Sequence, residues 1–179
     1  LALWMESERL LHPVINKIGV DTQNEVVKEE KRTRMDNQPY GRFQAVVKEN
    51  LFKKHPYRWA TIGSMEHLDA ATLEEFQAFN KKFYIPNNAV LVVAGDFKKD
   101  QAKKWIAQYF GTIPKGAPIK REQFIEEPIT ETIKARFEDN NIQIPAIVAA
   151  YRTPSMKTKD ARVLDLISSY LSDGKSSKL

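Results

Sequence analysis

"DAATLEEFQAFNKKFYIPNNAVLVVAGDF", Asp69–Phe97, sets the two elements that decide the fold class side by side. Thr72 followed three residues later by Glu75 is a capping box, in which each side chain satisfies the other's backbone amide. Leu73, Phe76, Phe79 or Asn80, and Phe83 then recur at helical spacing. "IPNN" turns the chain into "AVLVVAGDF", a continuous valine-rich run of the length of a buried strand. A capped helix feeding a buried strand predicts an α+β fold.

Working downstream, "KKDQAKKWIAQYFG" reads as a helix with Ala102, Trp105, Ile106 and Tyr109 on its apolar face and Gly111 as its stop. "TIPKGAPIKREQFIEEPIT", rich in proline and charge, is the best linker. "ETIKARFED" and "IQIPAIVAAYRT" then read as strands and "TKDARVLDLISSYLS" as a helix. Upstream, residues 1 to about 18 place Leu1, Trp4, Leu10 and Leu11 among charges, an amphipathic helix that Pro13 kinks or ends. A second helix runs from about Asp21 or Thr22 to Met35, and "RFQAVVKENLFK" forms a third before "HPY". The expected architecture is a mixed sheet with helices packed on one face: an α+β unit over residues 1–117, a linker over 118–128, and the opening of a second unit over 129–179. Both ends read as cut, since the chain begins at Leu1 inside a helix and stops in "SDGKSSKL".

With 42% hydrophobic and 10% aromatic residues the chain can bury a core. Lysine and arginine number 28 against 23 acidic residues, a scattered surplus of +5 that marks a solvated surface, with no nucleic acid expected as a partner. The absence of cysteine excludes disulfides, thiol nucleophiles and cysteine zinc sites. The longest apolar runs fall well short of the roughly 20 residues that span a bilayer, so no transmembrane segment is expected.

His12, His55 and His67 are the only histidines, and no two are spaced i, i+4, so a two-histidine metal face on one helix is absent. His55 in "KKHPYRW" reads as a loop buttress, and His67 beside Glu66 as a surface residue. "SDGKSSKL" resembles a phosphate loop only superficially, because Ser169 stands where the first glycine of that loop belongs. The paired carboxylates of "NEVVKEEKRTRMDNQPYG", Asn24–Gly41, remain. Glu30 shares a helix face with Gln23 and Val27, while Glu29 is rotated from it by about 100°. Glu30 is either an edge glutamate, solvated or paired with Lys31 or Arg34, or an anionic metal ligand. Periodicity leaves both open.

"NEVVKEEKRTRMDNQPYG", "HPYRWATIGSMEHLDAATLEEFQAFNKKFYIPNNAVLVVAGDF", "YFGTIPKG", "FEDNNIQIPAIVAAYRTP" and "LSDGKSSKL", in that order, resemble the pitrilysin/insulinase family of zinc metallopeptidases, above all its bacterial members. In that family an inverted His-x-x-Glu-His motif supplies two zinc-binding histidines and the general base, and a glutamate in a later "VVxEE"-like segment is the third ligand. The resemblance implies that this ligand is Glu30, that the cofactor is Zn2+, and that peptide bonds are hydrolysed. The sequence departs from the family in two ways. His-x-x-Glu-His occurs nowhere in the 179 residues, and Gln23 stands where many members have an active-site glutamate, so no catalytic residue is assigned.

The chain by itself is therefore expected to be inactive and to hold zinc negligibly. The resemblance also implies a peptide or protein substrate, a homodimer or a heterodimer with a related subunit, and a bacterial periplasmic or envelope location. A non-catalytic family partner and a protein-binding scaffold that merely uses the fold are the alternative readings.

Overall fold

The structure is a computed structural model and describes residues 1–178; Leu179, the last residue of the expected second unit, lies outside the described residues. The regular elements are seven α-helices among the described residues: α1 Ala2–Leu11, α2 Lys17–Lys31, α3 Phe43–Leu51, α4 Met65–Ala70, α5 Leu73–Phe83, α6 Lys99–Phe110 and α7 Lys159–Ser172. A π-helical turn, Arg32–Asp36, extends α2, and 3₁₀ turns lie at Pro56–Arg58 and Pro86–Asn88. Short polar side chains start the helices where the capping rule expects them. Asn16, Ser64, Thr72 and Thr158 each accept a backbone amide of the first turn of α2, α4, α5 and α7 respectively. The Asn16 cap starts α2 four to five residues earlier than the sequence alone suggested, and Leu11 ends α1 two residues before Pro13. No described helix is long and apolar enough to cross a membrane.

The expected mixed sheet with helices on one face does not form. Among the described residues there is no β-strand, and the regular structure is helical throughout. "AVLVVAGDF", "ETIKARFED" and "IQIPAIVAAYRT" all lie outside regular structure. The physical reason is that a strand has no internal hydrogen bonds: its amides and carbonyls are satisfied only by a neighbouring strand. The apolar character that marks these runs as buried is present in the sequence, yet Val90 is 89% and Ile147 102% exposed.

Two compact units are formed. In the first, residues 1–38 and 60–124, α1 packs against α6, and α2 packs against α4 and α5. Its buried residues are Ser7, whose hydroxyl donates to the Trp4 carbonyl at 2.7 Å, Ile85, and Ala102 on α6. Asn87 ties the turn after α5 to Gly116 by two hydrogen bonds, 2.9 Å from the Gly116 amide and 3.2 Å to its carbonyl. The second unit joins residues 39–59 to the chain from Ile125 on. There α3 packs against the Pro56–Arg58 turn, the Tyr40 hydroxyl donates to the Ile144 carbonyl, and Arg42 lies over the Phe137 ring at 5.2 Å. Tyr40 makes this contact from a left-handed backbone conformation, φ 60°, which a bulky side chain adopts only when its surroundings hold it there.

Candidate functional site

The helix that carries Glu30 is fixed to its unit through another face. Asn24, Lys28 and Lys31 recur at three- and four-residue steps along α2. Asn24 Nδ2 donates to the Leu68 carbonyl at the far end of α4 at 3.2 Å, and Lys28 Nζ pairs with Asp69 at 2.5 Å and with Glu25 at 2.7 Å. The Asp69 hydrogen bond, followed by that of Glu25, raises the Lys28 pKa above its ordinary value. Lys31 pairs with Asp36 of the π-helical turn at 2.8 Å.

Glu30 is rotated by about 200° from Lys28 and stands with Val26 and Val27. That face is open: Val26 is 53% exposed and the Glu30 side chain 40% exposed. The Glu30 carboxylate pairs with Arg34 one turn on, at 2.6 Å. A pair of this kind on a helix surface contributes only about 0.3–0.5 kcal/mol, so it leaves the carboxylate easy to recruit. Glu29 points elsewhere, to Arg32 at 3.1 Å and the Thr33 hydroxyl at 3.4 Å.

The histidines are not gathered around Glu30. His12 follows α1 as its C-cap, and His67 lies inside α4 with its amide donating to the Ser64 hydroxyl. His55 stacks edge-on against Tyr57 with ring centroids 4.4 Å apart, and its Nδ1 accepts the Tyr57 amide at 3.1 Å. It is the loop buttress the sequence suggested. Among the described residues no group of three His, Cys, Asp or Glu side chains could hold a metal ion. Zinc takes three or four such ligands, so the residues present do not by themselves fit it.

One heavily bonded carboxylate is a residue that sequence reasoning left inside the linker. Glu126 accepts the backbone amides of Lys53, at 2.9 and 3.1 Å to its two oxygens, of Lys54 at 2.5 Å and of His55 at 2.5 Å. Arg152 Nη1 stands 3.8 Å away, and the Glu126 side chain is only 12% exposed. The His55 amide above all, then those of Lys53 and Lys54 and the Arg152 charge, hold the carboxyl at a pKa of about 2 against the opposing effect of burial. Lys54 Nζ reaches Glu127 at 2.8 Å, and Arg152 Nη2 donates to the Glu127 carbonyl at 2.6 Å. A cavity of about 280 Å³ adjoins the cluster, lined also by Leu51, Ile129 and Ile133. No local pattern announces this site, because the carboxylate and its amides are more than seventy residues apart.

Comparison with known proteins agrees with the motif series. Residues 70–179 match the family profile described as the peptidase M16 inactive domain. The zinc protease PqqE of Helicobacter pylori is 29% identical over 162 residues, covering 88% of this chain and 36% of that protein. An uncharacterized zinc protease of Mycobacterium leprae, ML0855, is 30% identical over 93 residues, covering 52% of this chain and 21% of that protein. The crystal structure of a protease from Helicobacter pylori superimposes with a TM-score of 0.77 at 24% identity, over 99% of this chain and 43% of that one, a likeness of fold alone. The chain thus spans about a third of the length of the first of these curated relatives and less of the second. The ordered motifs, the matched profile over more than half the residues and the shared fold lead to one assignment: this chain belongs to the peptidase M16 family.

Proposed function

We propose that the chain is a portion of a zinc-dependent metalloendopeptidase that hydrolyses peptide bonds, and that its contribution to the metal centre is one ligand, Glu30. The observation that carries this reading is the split between the two faces of α2. One face is pinned to α4 through Asn24 and Lys28, and the other presents a carboxylate paired with a surface arginine. The names of the two zinc-protease relatives support it. In this reading the two histidine ligands and the general base come from residues other than these 179, so the chain's own part is to position one anionic oxygen. By family resemblance residues 1–117 are the later part of the metal-binding domain, 118–128 the connection and 129–179 the opening of a homologous domain, although residues 39–59 pack with the chain from Ile125 on. The substrate is a peptide or protein, the assembly a homodimer or a heterodimer with a related subunit, and the location a bacterial periplasm or envelope.

The test is Glu30→Gln in the longer protein that carries this chain. A lost ligand is expected to lower zinc content and to reduce peptide hydrolysis by about 100-fold or more, with the helical circular dichroism unchanged. Undiminished hydrolysis and zinc content would overturn the assignment of Glu30. The 179-residue chain alone is expected neither to cleave peptides nor to keep zinc through dialysis; stoichiometric zinc retained on it would show that the ligands lie within it.

A second reading has its own support, the description of the matched profile as an inactive domain. There the chain serves a non-catalytic partner subunit or a protein-binding scaffold, and Glu30 is an ordinary helix carboxylate. Glu30 precedes the matched residues 70–179, so that description does not bear on α2. Unchanged partner binding in the Glu30→Gln protein, with no hydrolysis in the parent, would favour it.

A further inference from the structure

Glu126 is bound in a way that neither the metal reading nor the family assignment calls for. Three successive backbone amides, those of Lys53, Lys54 and His55, converge on its carboxylate. Such a concave run of N–H groups is a natural anion site. Here the anion comes from the chain itself, more than seventy residues on. The surrounding contacts have the same character. Lys54 Nζ reaches Glu127, Arg152 donates to the Glu127 carbonyl, and Arg58 Nη1 donates to the Lys53 carbonyl at 2.8 Å. The loop is thus held by side chains gripping backbone, by the Lys54–Glu127 pair and by ring contacts among Phe52, His55 and Tyr57, not by a strand ladder, and no residue of 39–59 is fully buried.

We infer that Glu126 is the pin of a latch that closes the Lys53–His55 loop onto the segment beginning at Ile125, so that releasing this one carboxylate opens the loop while α3 and α7 stay folded. The geometry makes opening local. Removing the carboxylate leaves three amides without their acceptor at once, and the contacts that remain, Arg58 on the Lys53 carbonyl, Lys54 on Glu127 and the His55 ring against Phe52 and Tyr57, supply no acceptor in its place. The helices bracketing it keep their own internal hydrogen bonds. Opening would free the backbone of Lys53 and Lys54, whose side chains are already exposed, and widen the adjoining cavity.

Trypsin reads the latch directly, because the bonds it would cut after Lys53 and Lys54 are the two whose amides Glu126 holds at 2.5 Å. In limited proteolysis of the full chain, Glu126→Ala is expected to speed cleavage after Lys53 and Lys54 by about tenfold. Cleavage after Lys103 and Lys104, inside α6, should keep its original rate. Glu126→Gln, which keeps one acceptor oxygen and loses the charge, should fall between the two. Equal cleavage after Lys53 and Lys54 in all three proteins would overturn the latch. If Glu126→Ala instead quickens cleavage everywhere, hydrogen exchange on the unaltered chain decides: slow amides at Lys54 and His55 support the latch, and exchange at the open-chain rate refutes it.

Discussion

Glu126 and Gly116 show how far single residues depend on neighbours distant in sequence. The amides of His55, Lys53 and Lys54, with Arg152 behind them, depress the Glu126 pKa from 4.5 to about 2, and Glu127 and Lys54 complete the charged surroundings. A depressed carboxylate stabilises the fold above its unfolded-state pKa and loses that contribution as pH falls through its folded one. The loop should therefore keep its pin at pH 3, where an unperturbed glutamate is already mostly protonated. A ¹³C titration of the Glu126 carboxyl with a midpoint near 4.5 instead of about 2 would rule this out. Gly116 lies against the buried Ile85: a Cβ built there stands 2.6 Å from Ile85 Cδ1 and 2.7 Å from Cγ2. Gly116→Ala should cost about 1–3 kcal/mol by overpacking. An unchanged urea midpoint would mean that Ile85 yields without loss.

Among the elements, α5 follows most directly from its local code. The Thr72 amide donates to Glu75 at 2.8 Å and the Glu75 amide donates to the Thr72 hydroxyl at 3.2 Å, the reciprocal pair expected from the sequence. The same contacts lower the Glu75 pKa. Thr72→Ala should destabilise the first unit by about 1 kcal/mol, read as a lower thermal midpoint, with Thr72→Ser close to the parent. If Ala and Ser behave alike, the cap is not limiting. The α6 and α7 ranges were equally legible, from apolar periodicity and from Gly111 as the stop of α6, while the Thr158 cap of α7 came from the structure. The face of α2 that carries Glu30 was legible too, as was Arg34 as one of two possible partners. Which face α2 packs on was not, since that depends on Leu68 and Asp69 some forty residues away.

At the scale of the molecule the surplus of uncovered surface dominates. The chain leaves 15707 Å² accessible to solvent. A single globule of 20.6 kDa would leave about 8,900 Å², and two separate units of half that mass about 10,700 Å². The excess over two units, about 5,000 Å², is several times the roughly 1,600 Å² buried in a standard protein interface. Much of it is apolar, as in Val90–Val93 and Ile144–Tyr151, and exposed apolar runs whose backbone groups lack a strand partner invite pairing. Expressed by itself, the chain should associate at about 10 µM, with a sedimentation mass above 20.6 kDa that rises with concentration. Monomeric behaviour across a hundredfold concentration range would contradict this, and Leu91→Lys with Val93→Lys should weaken the association.

The sequence by itself determined where most of the helices lie, how α5 is capped, which helix face bears Glu30 and, through an ordered series of motifs, the family. Those features rest on hydrogen bonds and periodicities that close within three or four residues, so composition and spacing contain them. The tertiary structure alone decided that the valine-rich runs stay unpaired, that α2 is pinned through Lys28 and Asn24, and that a carboxylate in an apparent linker grips the loop at His55. Strand ladders and anion nests draw their two halves from distant parts of a chain. A local pattern can mark one half, but only the fold brings the other half to it or leaves it without one.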